Sequence, residues 1–310
     1  MFHSSRFASV STASYFAAAC CVAMSTLSAV ADVTPELYWQ VFGTAERISI
    51  DGSGRETLFS RVTGGQGMDV STELGMMYWT DESTSQVMRA DLDGVGHEVI
   101  LTETGRVRDV VIDAAAGHIY WSNIDLDKIQ RAELDGSNPI DVVTDIGFVN
   151  NMHLDSSNGH LYFSDSETDT VRRADLDGSN HVNLLTSFGP GVGDTRGVDV
   201  DLTRGHLYYS DIRRNGIFRT DLDGNNEVLF AAGMSRVFDL QILPETDEIF
   251  WIDNETMNMY RSPLEVANPT IIESNVQALS IALTPEPGTL FVFGIGAIVI
   301  GTARRSRRRF

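Results

Sequence analysis

The fold is decided by Tyr78-Trp79-Thr80-Asp81, a stretch that is followed by Arg89 and by the turn Asp93-Gly94. The same arrangement recurs, with aromatic pairs beginning at Tyr38, Tyr78, Tyr120, Tyr162, Tyr208 and Phe250. The steps between these pairs are 40, 42, 42, 46 and 42 residues. A period near 42 is the length of one four-stranded propeller blade, so the repeat predicts a six-bladed β-propeller.

Each period divides into four short strand-like runs, with no stretch of helical periodicity between them. The Asp-Gly pair between the third and fourth runs predicts a two-residue hairpin with positive φ at both residues. The first copy lacks an inner strand, and a spare alternating run at 276–283 remains near the C-terminus. We therefore expect this run to complete the first blade and close the ring, which removes two open sheet edges.

Six arginines form a second repeated column: Arg47, Arg89, Arg131, Arg173, Arg219 and Arg261. Their register with the Asp of the aromatic motif predicts a repeated charge-assisted bond between strands or blades. The aromatic pairs themselves are predicted to be core between adjacent sheets.

The motif at 78–81 with Arg89 to Gly94 resembles the YWTD repeat, also called the low-density lipoprotein receptor class B repeat. The resemblance covers about residues 37–283, and the first copy departs from it with Gln40-Val41 in place of Thr-Asp. It implies a six-bladed propeller that holds protein ligands or neighbouring domains and has no catalytic residues.

The N-terminal residues 1–31 have the character of a secretory signal peptide. Arg6 lies in a short n-region, an Ala-rich apolar stretch follows, and Ala29-Val30-Ala31 forms an A-x-A cleavage site that ends at Ala31. Both cysteines of the chain, Cys20 and Cys21, fall within this segment, so the mature protein needs no disulfide. The propeller domain is expected to span 32–284.

The segment 285–310 resembles the bacterial PEP-CTERM sorting signal. Pro285-Glu286-Pro287 precedes an apolar run and an Arg-rich tail, and in that family a membrane transpeptidase-like protease cuts near the Pro-Glu-Pro. As a helix the run 289–303 would be about 22 Å long, short of the roughly 30 Å hydrocarbon core. A short span beside a cut site favours transient membrane attachment over a permanent anchor.

The charge of the chain restricts its partners. Residues 32–284 contain 17 Lys and Arg residues against 42 Asp and Glu, a net charge of −25. Such a surface repels nucleic acid and anionic membranes. It suits basic ligands, divalent cations or a salty medium, and simple solvation of an exported surface explains it equally well. We expect a protein or an extracellular polymer as the ligand and no cofactor, with calcium as the alternative.

The binding hypothesis concerns the start of the inner strands, where the repeats disagree and leave room for specificity. The successive blades offer there the residues Gln66, Arg108, Asn150, Arg196, Phe238 and Gln277. Surface drift explains the same variation equally well.

The alternative function is a calcium-dependent, lactonase-like hydrolase with a metal in the central channel. Its candidate ligands are Asp69, Asn151, His153, Asp199 and Asp239 on the inner strands. The chain carries no nucleophile elbow and no phosphate loop, so a non-enzymatic exported binding or scaffold protein is the favoured interpretation.

Overall fold

The computed structural model describes residues 34–41, 43–60, 63–185 and 194–284. The predicted signal peptide with Ala31 and the predicted sorting segment with Pro285, Glu286 and Pro287 lie outside these residues. The strands of the described part are β1 (Glu36–Val41), β2 (Thr44–Ser49), β3 (Glu56–Ser60), β4 (Gly65–Ser71), β5 (Met76–Asp81), β6 (Gln86–Asp91), β7 (Glu98–Thr102), β8 (Val107–Asp113), β9 (His118–Asn123), β10 (Lys128–Glu133), β11 (Ile140–Thr144), β12 (Val149–Asp155), β13 (His160–Asp165), β14 (Thr170–Asp175), β15 (Val182–Asn183), β16 (Thr195–Asp201), β17 (His206–Asp211), β18 (Gly216–Asp221), β19 (Val228–Ala232), β20 (Val237–Leu243), β21 (Glu248–Asp253), β22 (Asn258–Pro263), β23 (Thr270–Ser274) and β24 (Ile281–Leu283).

The strands form six antiparallel four-stranded sheets arranged as the blades of a propeller, which confirms the predicted fold. Blades two to six follow the chain as β4–β7, β8–β11, β12–β15, β16–β19 and β20–β23, whereas blade one has the order β24-β1-β2-β3. The last strand therefore closes the ring, with Tyr38 opposite Ala282. It is shorter than the predicted run at 276–283, because only residues 281–283 pair with β1.

The aromatic pairs fill the space between blades, as expected. Trp39, Trp79, Trp121 and Trp251 are at most 2% exposed. One core cluster joins Tyr38 of blade one to Trp79 of blade two, and another joins Trp39 to Phe250 of blade six. Burial of each such ring contributes about 1.5–3 kcal/mol, so the aromatic motif explains why the blades adhere to one another.

The Asp-Gly turns differ in type from the prediction. In the first of them Gly52 N donates to Ser49 O at 2.8 Å, so Asp51 is the third residue of the turn and only Gly52 has positive φ (85°). Asp51 Oδ1 accepts a hydrogen bond from Ser53 N at 2.8 Å, which holds the turn without left-handed strain on Asp51. A Cβ on Gly52 would also lie 2.6 Å from Ile272 O of blade six, so glycine further permits close blade contact.

No bond among the described residues joins the arginine column to the predicted Asp. Arg47 pairs with Glu36 and Glu56 of its own blade, whereas Arg89 reaches the next blade. Arg89 lies opposite Tyr78, and both side chains donate to Leu134 O in the turn of the next blade at 3.1 Å. The Asp of the motif instead lies opposite the start of the third strand. There Asp81 Oδ1 accepts from the backbone N–H groups of Ser83 (3.0 Å) and Thr84 (3.2 Å) and so holds the loop after β5.

Candidate functional site

Two faces of the propeller differ in what they present. We call mouth face the side at which the inner strands begin, together with the loops 82–85, 124–127, 166–169, 212–215 and 254–257 that follow the second strands. The Asp-Gly turns lie on the opposite face. Glu36 and Thr284 also lie there, joined by Glu36 N donating to Thr284 Oγ1 at 2.8 Å and Thr284 N donating to Glu36 O at 2.9 Å. The described chain therefore starts and ends on the side away from the mouth.

Five of the predicted site residues occupy equivalent positions on the mouth face, since each is the second residue of its inner strand: Gln66, Arg108, Asn150, Arg196 and Phe238. Gln277 is not the sixth. Ile281 lies opposite Trp39 as Met68 lies opposite Trp79, so the equivalent residue of blade one is Leu279. The register in which β24 pairs with β1 sets this two-residue difference, which sequence alternation alone does not reveal. Gln277 nevertheless lines a pocket on the same face.

Arginine and phenylalanine side chains alternate along one side of the mouth face in a cluster that we call the mouth arc: Arg108, Phe148, Arg196, Phe238 and Arg236. The guanidinium of Arg108 lies 5.1 Å from the Phe148 ring centroid, and those of Arg196 and Arg236 lie 5.6 and 5.7 Å from that of Phe238. Arg196 Nη1 also donates to Asn150 Oδ1 at 2.6 Å. These contacts hold the arginines in place.

The three arginines of the mouth arc differ in their charge partners. Arg196 pairs with Asp194 at 2.6 Å and Arg108 pairs with Glu82, whereas Arg236 forms no ion pair with the described residues. Burial lowers the pKa of Arg108, and the neighbouring charge of Arg196 lowers it further, while Glu82 at 3.1 Å opposes both effects. Arginine and aromatic side chains are enriched among the anchors of protein interfaces. Sequence reasoning missed Phe148 and Arg236, which directly precede the inner strands β12 and β20, two residues before the predicted site positions.

Inside the channel, each blade provides one side-chain acceptor to a backbone N–H on the inner strand of the next blade. We call these acceptors the channel ring. Its bonds run from Met68 N to Ser280 (3.1 Å), Ile112 N to Asp69 (2.7 Å), Met152 N to Asp109 (2.6 Å), Val198 N to Asn151 (2.7 Å), Ile242 N to Asp199 (2.6 Å) and Ile281 N to Asp239 (3.0 Å).

The acceptor residues of the channel ring lie at two levels along the inner strands. Asp109, Asn151, Asp239 and Ser280 directly precede the residue that lies opposite the second aromatic, whereas Asp69 and Asp199 directly follow it. Gly67 and Gly197 occupy the first level in those two blades. A Cβ on Gly197 would lie 2.9 Å from Asp239 Cα, so glycine makes room for the neighbouring acid. One acceptor per blade thus closes a complete circle of inter-blade bonds.

Three channel carboxylates, those of Asp69, Asp109 and Asp239, have raised pKa values. Burial raises the pKa of Asp239 to about 7 and that of Asp69 to about 6, and the charge of Asp199 adds to both effects. Burial raises the pKa of Asp109 well above its ordinary value, and the charge of Asp239 raises it further. Burial alone would lower the pKa of His153, but its contact with Asp199 outweighs this and raises it.

These bonds already engage most of the ligands that the calcium alternative requires. Asp69, Asn151, Asp199 and Asp239 each accept a hydrogen bond from the next blade, and His153 contacts Asp199. The channel cavity, whose lining includes Asp69, Asn151, His153 and Asp239, measures about 150 Å³. Within the described ranges, no group of three or more His, Cys, Asp and Glu side chains is arranged to hold a metal ion.

None of the residues described forms a helix that could span a bilayer. The predicted attachment segment 289–303 lies outside the described ranges.

Comparison with known proteins identifies the C-terminal segment and the fold. Residues 283–309 match the PEP-CTERM protein-sorting motif. A chain in the crystal structure of a nidogen–laminin complex superposes with a TM-score of 0.74 at 17% sequence identity, covering 80% of this chain and 98% of that one. No curated protein matches the chain. The protein is therefore a six-bladed β-propeller of the kind predicted from its YWTD-like repeats, and its C-terminal motif is that of an exported protein sorted to the cell envelope.

Proposed function

We propose that this chain is a non-enzymatic binding or scaffold protein of the cell envelope or extracellular matrix, and that its mouth face holds a protein or polymer ligand. The mouth arc is the observation that carries the proposal. Packing explains the repeated residues of the blades, but it does not require arginines over phenylalanines at positions where the repeats differ.

The nidogen–laminin complex supports this role by analogy. There a propeller of the same shape occurs in a complex between proteins. At 17% identity the likeness concerns the fold, so the ligand of the present chain has to be found by its own chemistry. The whole chain has a net charge of −20, and Arg108 and Arg196 are already paired with acids. The guanidinium of Arg236 is therefore the group of the mouth arc that favours a partner with an acidic group.

The position of Thr284 adds an orientation to the proposal. Because the described chain ends opposite the mouth, a protein held at the membrane through its C-terminal segment would present the mouth face outward. We propose transient attachment through 289–303 and release by a sorting transpeptidase-like protease near Pro285-Glu286-Pro287. Mass spectrometry of the exported protein tests this, because an intact C-terminal Phe310 would contradict cleavage.

The hydrolase alternative is not favoured, because the inter-blade bonds account for its ligand set. A calcium titration followed by a lactone and ester screen separates the two functions. Tight calcium binding with turnover would support the hydrolase, whereas an inert protein that captures a ligand would support the binding role.

Affinity capture from the native envelope tests the proposed surface. The double substitution Arg108→Glu with Arg196→Glu is expected to abolish capture by reversing the charge of the mouth arc. Arg55→Glu with Arg204→Glu is the matched control, because it changes the net charge equally on the opposite face. Undiminished capture by the mouth variant, or equal loss in both variants, would contradict a role for the arc.

A further inference from the structure

A second pocket, of about 230 Å³, opens on the mouth face where blade six meets blade one. Gln40 and Val41 line it from the end of β1, and Leu279 lines it from the segment before β24. Phe238 and Arg236 line it from the start of β20. The pocket thus adjoins the mouth arc but is built mainly by residues at the closing point of the ring.

The pocket lies beside the blade in which the repeated aromatic motif changes its last two residues. In blade two, Thr80 Oγ1 accepts from Gly67 N at 3.0 Å and donates to Arg108 O in the next blade at 2.7 Å. Gln40 replaces this residue in blade one, and Val41 replaces the Asp that follows it. Gln40 is 4% exposed, yet neither its Oε1 nor its Nε2 has a hydrogen-bond partner among the described residues.

A buried amide without partners is costly, and such groups in a folded protein need an explanation. Here both amide atoms are buried beside a pocket that the same residue lines. Because they have no partner to give up, a turn of the Gln40 side chain into the pocket breaks no hydrogen bond, and a ligand there can supply the missing bonds. The pocket is larger than the cavity of about 150 Å³ that admits benzene and smaller than the roughly 300 Å³ of drug-sized sites. Its size therefore suits one amino-acid side chain.

We propose that this pocket binds the C-terminal residue of a partner polypeptide. In an extended residue the N–H and C=O point to the same side, so the Gln40 amide can accept from one and donate to the other. An aliphatic side chain then packs against Val41 and Leu279. The second carboxylate oxygen meets Arg236, which is exposed and forms no ion pair with the described residues.

This inference rests on the proposed function, since it names the chemistry of one anchor on the same mouth face. An experiment can nevertheless refute the anchor pocket without refuting the binding role of the mouth face. Envelope capture that depends on Arg108 and Arg196 but not on Gln40 would leave the binding role intact and remove the anchor pocket.

Fluorescence polarisation with the purified protein tests the anchor, using a library of labelled octapeptides with randomised last three residues and free carboxylates. Selected peptides are expected to end in an aliphatic residue. Converting their carboxylate to an amide should weaken binding at least about tenfold, because a charge-assisted pair is lost. Gln40→Thr and Arg236→Gln should each weaken binding to a similar extent.

Arg106→Gln is the matched control, because Arg106 is an exposed mouth-face arginine outside the pocket. It should leave peptide binding unchanged. Unaltered melting curves, or a raised melting temperature for Gln40→Thr, show that the variants fold. A library without carboxylate-dependent binders, or undiminished binding by folded Gln40→Thr, would overturn the proposal.

Discussion

Replacing Gln40 by threonine is expected to stabilise the protein even as it removes the anchor. The substitution restores the residue type that Thr80 represents in blade two. A buried polar group without a partner costs about 1–3 kcal/mol, and the new hydroxyl gains the bonds made by its equivalents. The smaller side chain enlarges the pocket, which costs roughly 1 kcal/mol. The free energy of unfolding should therefore rise by about 1–2 kcal/mol.

Thermal and urea unfolding of the purified protein measure this change. A gain of that size should raise the melting temperature by roughly 2–8 °C for a domain of this length. Gln40→Leu is the matched control, because it removes the amide without adding a hydroxyl, and it should fall between wild type and Gln40→Thr. A lower stability of Gln40→Thr than of wild type would refute the reasoning, since it would mean that the amide is already satisfied.

Three further predictions concern the channel and the ring. Because burial raises the pKa of Asp239 from 3.8 to about 7, the native state binds this proton more tightly than the unfolded chain, and the contribution of Asp239 to stability falls as the pH rises through that window. Asp239→Asn should therefore gain stability relative to wild type as the pH rises from about 4 to 7, and a pH-independent difference in urea unfolding would contradict this. Gly197→Ala should lower the free energy of unfolding by about 1–3 kcal/mol, because the added methyl group overpacks the contact with blade six. Gly117→Ala, the control, should lower it by roughly 1 kcal/mol through left-handed backbone strain alone. Equal losses in denaturation would count against the close contact. Ending the chain at Ser280 should greatly lower the urea midpoint by opening β1, whereas an unchanged midpoint would disprove closure by β24.

Repetition made the fold predictable from sequence. A motif seen six times reports the spacing of the blades, and the missing inner strand of the first copy required a strand from the other end. The outer strands were less certain. In blade four the outer strand β15 is only Val182–Asn183, because outer strands bury little and their sequences carry a weak pattern.

The site was predictable only in part. Arg108 and Arg196 lie at fixed sequence distances from the aromatic motif, so counting along the strands places them on the correct face. The channel acids were interpreted as metal ligands, because a sequence does not show that each will meet a backbone N–H of the neighbouring blade. The change to Gln40-Val41 was visible in the sequence. That the Gln40 amide is buried without a hydrogen-bond partner is a property of the closed ring, which the sequence does not show.

The pairing of Glu36 with Thr284, 248 positions apart, has a consequence for biogenesis. A chain that is made and exported from its N-terminus must hold β1 with an unpaired edge until nearly all other residues have emerged. Contacts of such long sequence separation form slowly, so we expect closure of the ring to be the last step of folding. The matched sorting motif begins at residue 283, inside that final strand. A delay in cleavage at the motif would therefore give β24 time to pair with β1 before the protein leaves the membrane.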